Sequence, residues 1–250
     1  MKKLFSTLFI AAFTLTTFAQ EKVLFKLNPT QGKSLPYEMT VKTDIDGAQS
    51  VIMDMQFKFN MTATDVQNES VVIDTKFAQI KTEVDAGMMA MSYDSSNETD
   101  DEMSKMLGTQ FKPILENTLT LTLDKFGKVL DSKFPNVADG AFDKSSMEGL
   151  ATEFPNKEIA LGESWETTKD FPQLNLKGTI KFTYSEKAAD GHKITTYGEF
   201  KDAAGNVVGT TNGHSIVDAT TFMNKYSISE SKLEVQGTKI TTSAELKIAQ

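Results

Sequence analysis

Along most of the chain, apolar and polar residues alternate in steps of two. Val51, Met53, Met55, Phe57, Phe59 and Met61 share one parity, and Asp54, Gln56, Lys58 and Asn60 share the other. Successive side chains of an extended strand point to opposite faces, so this stretch predicts a strand with one dry side and one wet side. Tyr37, Met39, Val41, Thr43 and Ile45 alternate in the same way with Glu38, Thr40, Lys42 and Asp44, and Asp46-Gly47 supplies a tight hairpin turn. Further strands are predicted over residues 71–84 and 88–93. Leu119, Leu121 and Leu123 alternate with threonines and turn at Lys125-Phe126-Gly127 into Val129 and Leu130. Strands are also predicted over 179–185 and 193–200, joined at Asp190-Gly191 and followed by a Gly205-Asn206 turn. In the last segment Ile240, Ala244, Leu246 and Ile248 oppose Lys239, Thr241, Glu245 and Lys247.

Two segments break this period. In SSNETDDEMSKMLGTQF, Thr99 with Glu102 three places on predicts a capping box, and Asp100 and Asp101 suit the positive end of a helix dipole. Met103, Met106, Leu107, Phe111 and Ile114 then fall within about half of the helix circumference at ~100° per residue. Pro113 is predicted to end or kink this helix. A second short helix is predicted over residues 138–151. Strands, short helices and more strands point to a mainly β fold: a single curved antiparallel sheet or half-barrel with one or two short helices on one face. No repeat or low-complexity linker divides it.

Residues 1–19 have the form of a secretory signal peptide, with Lys2 and Lys3, an apolar run from Leu4, and small residues at Thr17 and Ala19 before the expected cut. A spanning helix would need ~18 or more consecutive apolar residues, which Ser6, Thr7, Thr14, Thr16 and Thr17 interrupt. The expectation is a mature chain from Gln20, periplasmic or secreted, with residues 20–250 forming one β-rich domain. There is no cysteine to carry a lipid anchor or a disulfide, so stability must come from a hydrophobic core.

Loss of Lys2 and Lys3 changes the formal charge of −8 to −10, and the chain contains no arginine. An acidic surface without guanidinium forks disfavours nucleic acid and phosphate-bearing ligands as partners. His192 in DGHK and His214 in NGHS read as solvated turn residues, and no serine sits in a G-x-S-x-G elbow. No cofactor motif is present. Dispersed carboxylates keep a hydrolase open, since two acids ~5–9 Å apart can cleave glycosides. The stretch Asp94 to Asp100 has the alternating oxygens of a calcium loop, but Thr99 stands where the loop needs glycine and Lys105 where it needs glutamate.

Met53, Met55, Met61, Met88, Met89, Met91, Met103 and Met106 lie in one stretch of the chain. Thioethers could hold Cu(I), yet most of these residues share a face with Phe57, Phe59, Tyr93 or the apolar stripe of the helix. Ordinary core or an adaptable wall around an apolar guest accounts for that placement. The residues expected to line the inside are Met53, Met55, Phe57, Phe59, Met89, Met91, Met103, Met106, Leu107 and Phe111.

The start ending in FAQ, SYDSS before the helix, TLTLDKFGKVLD after it, FPNKEIALGESWE and GHSIVDATT together resemble an uncharacterised family of exported β-domain proteins common in Bacteroidota, a domain of unknown function. That resemblance brings no activity with it. The architecture is similar to the half-barrel carriers that ferry lipoproteins or lipids through the periplasm. The reading is therefore a non-enzymatic exported protein that binds an apolar small molecule, lipid or partner segment in a concave sheet face. A structural module with a solid core, a carboxylate hydrolase and a Cu(I) binder are the alternatives.

Overall fold

A computed structural model of the protein describes residues 21–137, 152–171, 174–188 and 190–249. The leader over 1–19 and the second helix expected over 138–151 lie outside the described residues. The elements are β1 (Lys22–Val23), β2 (Ser34–Asp46), β3 (Val51–Val66), β4 (Ser70–Asp85), β5 (Ala90–Asp94), α1 (Glu102–Glu116), β6 (Thr118–Asp124) and β7 (Val129–Lys133). They continue with β8 (Ile159–Ala160), β9 (Ser164–Phe171), β10 (Leu176–Ala188), β11 (Gly191–Lys201), β12 (Val207–Asp218), β13 (Asn224–Val235) and β14 (Thr238–Ile248).

One 12-stranded antiparallel sheet dominates, in the order β7-β6-β4-β3-β2-β14-β13-β12-β11-β10-β9, with β5 added to β4. The sheet is curved and not closed. Two meanders, β2 to β4 and β9 to β14, are joined where β14 pairs β2, with Ala244 opposite Val41 and Leu246 opposite Met39. β4 serves two partners along one edge: residues 70–76 pair β6 and residues 81–85 pair β5. The helix between those partners packs on β4 and β5.

The predicted faces hold. Phe57, Phe59, Met61, Leu119, Leu121 and Leu123 are buried, whereas Lys58 and Asn60 are exposed. Across the wet face, Lys42 meets Asp54 at 2.8 Å and Lys247 meets Glu38 at 3.5 Å, cross-strand pairs of opposite charge. β5 begins at Ala90, so Met88 and Met89 fall in the preceding turn and not in the strand expected from 88 onward. Gly87 (φ 76°) forms that turn, its N–H donating to Asp85 Oδ1 at 2.9 Å.

α1 is capped by Asp101 and not by Thr99. Asp101 Oδ1 accepts from the Ser104 N–H at 2.8 Å, and the Thr99 hydroxyl donates to Asp101 Oδ2. Aspartate caps as well as threonine does, and starting the helix later lets Thr99 brace the cap. Pro113 does not end the helix. Its missing N–H deprives only the carbonyl of exposed Thr109, and Asn117 Nδ2 donates to the Pro113 carbonyl at 2.7 Å to close the last turn.

One end of the trough is sealed. The Leu27 N–H donates to Lys125 O (2.8 Å) and the Asn28 N–H to Thr221 O (3.0 Å), so the segment after β1 bridges the β6–β7 and β12–β13 turns. The Phe154 N–H donates to Phe126 O at 2.7 Å, and a Cβ at Gly127 (φ 85°) would lie 2.2 Å from the carbonyl oxygen of Thr152. Phe25, fully buried, stacks on Phe154 at 5.2 Å and meets the edges of Tyr184, His192 and Phe222. The core therefore sits at this sealed end.

Candidate ligand groove in the concave face

The registers align the inward-facing residues into rows that run across the sheet. One row begins at Tyr93 and passes through Thr82, Met55 and Val41. It crosses Ala244, Ser229 and Gly213 in the middle of the sheet and climbs through Thr196 to Phe182 and Trp165. The next row toward the open end starts at Met91, Val84 and Met53, crosses Thr43, Thr242, Ser231 and Thr211, and reaches Ile180 and Thr167 through Gly198. Both rows carry bulky apolar residues toward each end and a small or hydroxylated middle. A concave sheet with that distribution is a groove: two walls with a low floor.

The floor hydroxyls bond sideways to one another. The Ser231 hydroxyl donates to Thr211 Oγ1 at 2.9 Å, and the Thr43 and Thr242 hydroxyls lie 3.3 Å apart. Paired in this way they can be desolvated at little cost, because each keeps a hydrogen bond when water leaves.

The expected lining residues divide. Met53, Met55, Phe57 and Phe59 follow one another down the inner face of β3, and Met91 joins Met53 across Val84. Phe57 and Phe59 are packed into the core, while Met53 and Met55 nearer the open end stay half-buried. Leu107 is buried under α1, Phe111 stacks on Tyr93 at 5.6 Å, and Met103 is half-buried. Met106 (46% exposed) and Met89 (58% exposed) stand out in solvent, on the helix surface and in the β4–β5 turn.

A pocket of about 220 Å³ lies against the opposite wall, formed by β9 to β13. Ile180 and Phe182 supply its apolar side and Thr196, Thr211, Ser215, Ser227 and Ser229 its polar side, with Lys169, Glu153 and His214 also on its lining. Thr167 and Asn224 are among its lining residues, and their side-chain oxygens Oγ1 and Oδ1 are buried away from the open space, without a hydrogen-bond partner among the described residues. Sequence reasoning missed this wall because its polar residues do not read as core. The signal was present in Ser227, Ser229 and Ser231, which alternate with Ile228, Glu230 and Lys232 and so share one face of β13.

His192 is not solvated. It is 5% exposed on the inner face of β11, its Nδ1 lies 2.8 Å from the Tyr184 hydroxyl, and its ring stacks on Phe222 at 5.7 Å. It shares the parity of buried Ile194 and Phe200, which outweighs the turn at Asp190-Gly191. Burial pulls its pKa below the ordinary histidine value, and the nearby Lys187 charge adds to that. His214 occupies the other face of its strand, 5.7 Å from Tyr226. In the stretch that resembled a calcium loop, Asp94 Oδ1 accepts from the Ser96 N–H (2.9 Å), the Ser96 hydroxyl (2.7 Å) and Gln79 Nε2 (3.0 Å). These bonds, the Ser96 hydroxyl first, hold its pKa at about 2 and make it the anchor of a turn. Among the described residues no group of three His, Cys, Asp or Glu side chains could hold a metal ion. No described helix is long and apolar enough to cross a membrane.

Residues 68–143, which take in β4, β5, α1, β6 and β7, match the model of a family of unknown function, DUF6263. No curated protein matches the chain. Among solved structures, one described as "Lipid-protein interactions in lipovitellin" superposes with a TM-score of 0.57 at 10% identity, covering 88% of this chain and 25% of that one. The chain thus spans about a quarter of the lipovitellin chain, and the likeness is one of fold. A DUF1329 family protein from Desulfovibrio piger matches over 86% of each chain at 5% identity, with a TM-score of 0.20, too low to carry an argument.

Proposed function

We propose that the protein is an exported, non-catalytic binding protein, one β-rich domain of the Bacteroidota type, that holds an apolar ligand in the groove of its curved sheet. The observation that carries this reading is the incomplete filling of the inner face. At the sealed end Tyr37, Phe59, Ile73 and Leu121 are buried to 2% exposure or less, whereas Met53, Met55, Ala244 and Ile180 toward the open end are only half-buried. A dry sheet face left partly open, with walls of Met, Ile and Phe and a floor of small residues, is a site for apolar surface. Methionine on one wall lets that surface repack around guests of different shape. The lipovitellin fold, in a protein described through its lipid interactions, supports the same reading.

Protein recovered from its native host should carry an apolar guest seen by native mass spectrometry, and its polypeptide should begin at Gln20. A bare chain that also fails to bind a fluorescent fatty acid would leave the structural-module reading in its place. A retained 1–19 segment would remove the export argument.

A further inference from the structure

We infer that the open end of the groove docks on the surface of a neutral lipid bilayer, where apolar side chains at its hairpin turns dip among the head groups while the guest passes between membrane and groove. This rests on the proposal that the groove holds an apolar ligand and names the surface with which that ligand is exchanged.

The sheet presents five turns at its open end: β2–β3, β4–β5, β9–β10, β11–β12 and β13–β14. Among the described residues eleven large apolar side chains are exposed, and five of them stand in or beside four of these turns. Ile52 is the second residue of β3, Met88 and Met89 lie in the β4–β5 turn, Leu174 lies just before β10, and Val207 opens β12. The sheet hairpins of the sealed end, at residues 67–69, 125–128 and 219–223, expose none. Any polar residue serves at a turn tip, so apolar tips gathered at one end of the sheet mark a surface that is covered when the protein works. Apolar surface also runs inward from this rim: beyond Met89 lies Met91, which joins Met53 across Val84 on the groove wall.

The spacing of the tips favours a bilayer over a protein. Seven strand steps separate β4 from β10, about 34 Å along the curve at ~4.8 Å per step. A protein interface gathers its apolar contacts into one packed centre, whereas the boundary between head groups and acyl chains receives separated side chains one by one, to a depth of ~5–10 Å. Charge then selects the lipid. Binding to anionic head groups takes clustered, unmatched cations. The chain has no arginine, and the lysines at the rim are matched: Lys201 meets Glu199 at 3.8 Å, Lys177 lies in register with Asp170, and Lys239 lies between Glu234 and Asp46. With Asp85 and Asp202 added at two of the turns, the rim draws no affinity from anionic lipid and depends on insertion of its apolar tips.

The test has one arm that needs no guest and one that does. In the first, the full-length mature protein is injected beneath a phosphatidylcholine monolayer and the rise in surface pressure is read. The unaltered protein should raise it, and Met88→Ser combined with Met89→Ser should lose about half of the rise or more. Both sites are exposed in a turn, so the melting temperature should not move. Leu130→Ser, which removes a side chain as exposed as Met89 but beside the sealed-end β6–β7 turn, is the control and should lose nothing. In the second arm the protein is loaded with a fluorescent fatty acid and its transfer to phosphatidylcholine vesicles is followed. The rate should grow in proportion to vesicle concentration, fall about 3- to 10-fold in the double variant, and be no faster into vesicles that contain phosphatidylglycerol. The absence of a pressure rise, a rise that survives the double substitution, or a transfer rate independent of vesicle concentration would overturn the membrane assignment, leave the rim to a protein partner and leave the apolar groove standing. Faster transfer into the phosphatidylglycerol vesicles would overturn the choice of a neutral surface. Failure to bind the fatty acid at all would overturn the groove reading itself, and the exchange with it.

Discussion

At the level of single residues, the sealed end is held by buried and half-buried polar groups whose hydrogen bonds are satisfied. The Asp218 carboxyl is pushed up by burial, but it accepts from the N–H and hydroxyl of both Thr221 and Thr220 at 2.8 to 3.0 Å, which outweighs burial and brings its pKa to about 2. Its contribution to stability is present above the ordinary aspartate range and is lost only as pH falls toward that value. His192 acts earlier. Its folded pKa lies below the ordinary value through burial and the Lys187 charge, with Glu21 and Asp218 opposing, so the unfolded chain takes up a proton while the folded ring stays neutral. Stability is therefore full above about pH 6.5 and declines below it, because the unfolded state binds more protons there. His192→Gln, which keeps a polar partner for Tyr184, should flatten urea-unfolding stability between about pH 6.5 and 5. An unchanged slope in that window would mean that other groups set it. These residues were not legible by type: His192 was hidden by its neighbouring turn, and Asn224 and Thr167 are polar residues on an inward parity that only the register reveals.

At the level of elements, alternation located what one face decides. β3 was legible from Met53 to Met61, where its dry face is large and apolar and its wet face polar. Phe57→Asp buries an unpaired carboxylate against Phe77 and should cost several times more stability than Lys58→Asp, a change on the exposed face worth about 0.5 kcal/mol or less. Equal shifts in the urea midpoint would place β3 in the other register. Reading was weaker where local rules compete. Thr99 and Asp101 both satisfy capping rules, and the fold chose the later residue. Pro113 obeys a rule about lost donors that has little force when the orphaned carbonyl is exposed. The walls of the groove divide the same way, for the Met wall on β3 and β5 reads as apolar parity while the Ser and Thr floor of β12 and β13 does not.

At the level of the whole molecule, the decisive contact was beyond any local pattern. The alternation of residues 240–248 predicted a paired strand, and the structure makes β14 the seam between the two meanders, with β13 on one side and β2 on the other. No short-range signal specifies that pairing, because β2 and β14 are separated by almost the whole chain. Its consequence is mechanical: the apolar wall of β3 to β5 and the hydroxylated pocket of β9 to β13 face one another only because β14 holds their sheets in one curve. Deleting residues 240–250 would expose the edges of β13 and β2 together and release Leu246, which is 5% exposed, from between Met39 and Ser227. The segment after β1 still ties the β6–β7 and β12–β13 turns at the sealed end, so each half keeps part of its core. The expected outcome is loss of a single cooperative transition, replaced by broad or separate unfolding when far-UV circular dichroism is compared with Trp165 fluorescence, which reports on β9, β10 and the sealed end around Phe25 and Phe154. A truncated protein whose two signals still coincide at the full-length midpoint would show that the seam is dispensable and that the sealed end by itself unites the sheet.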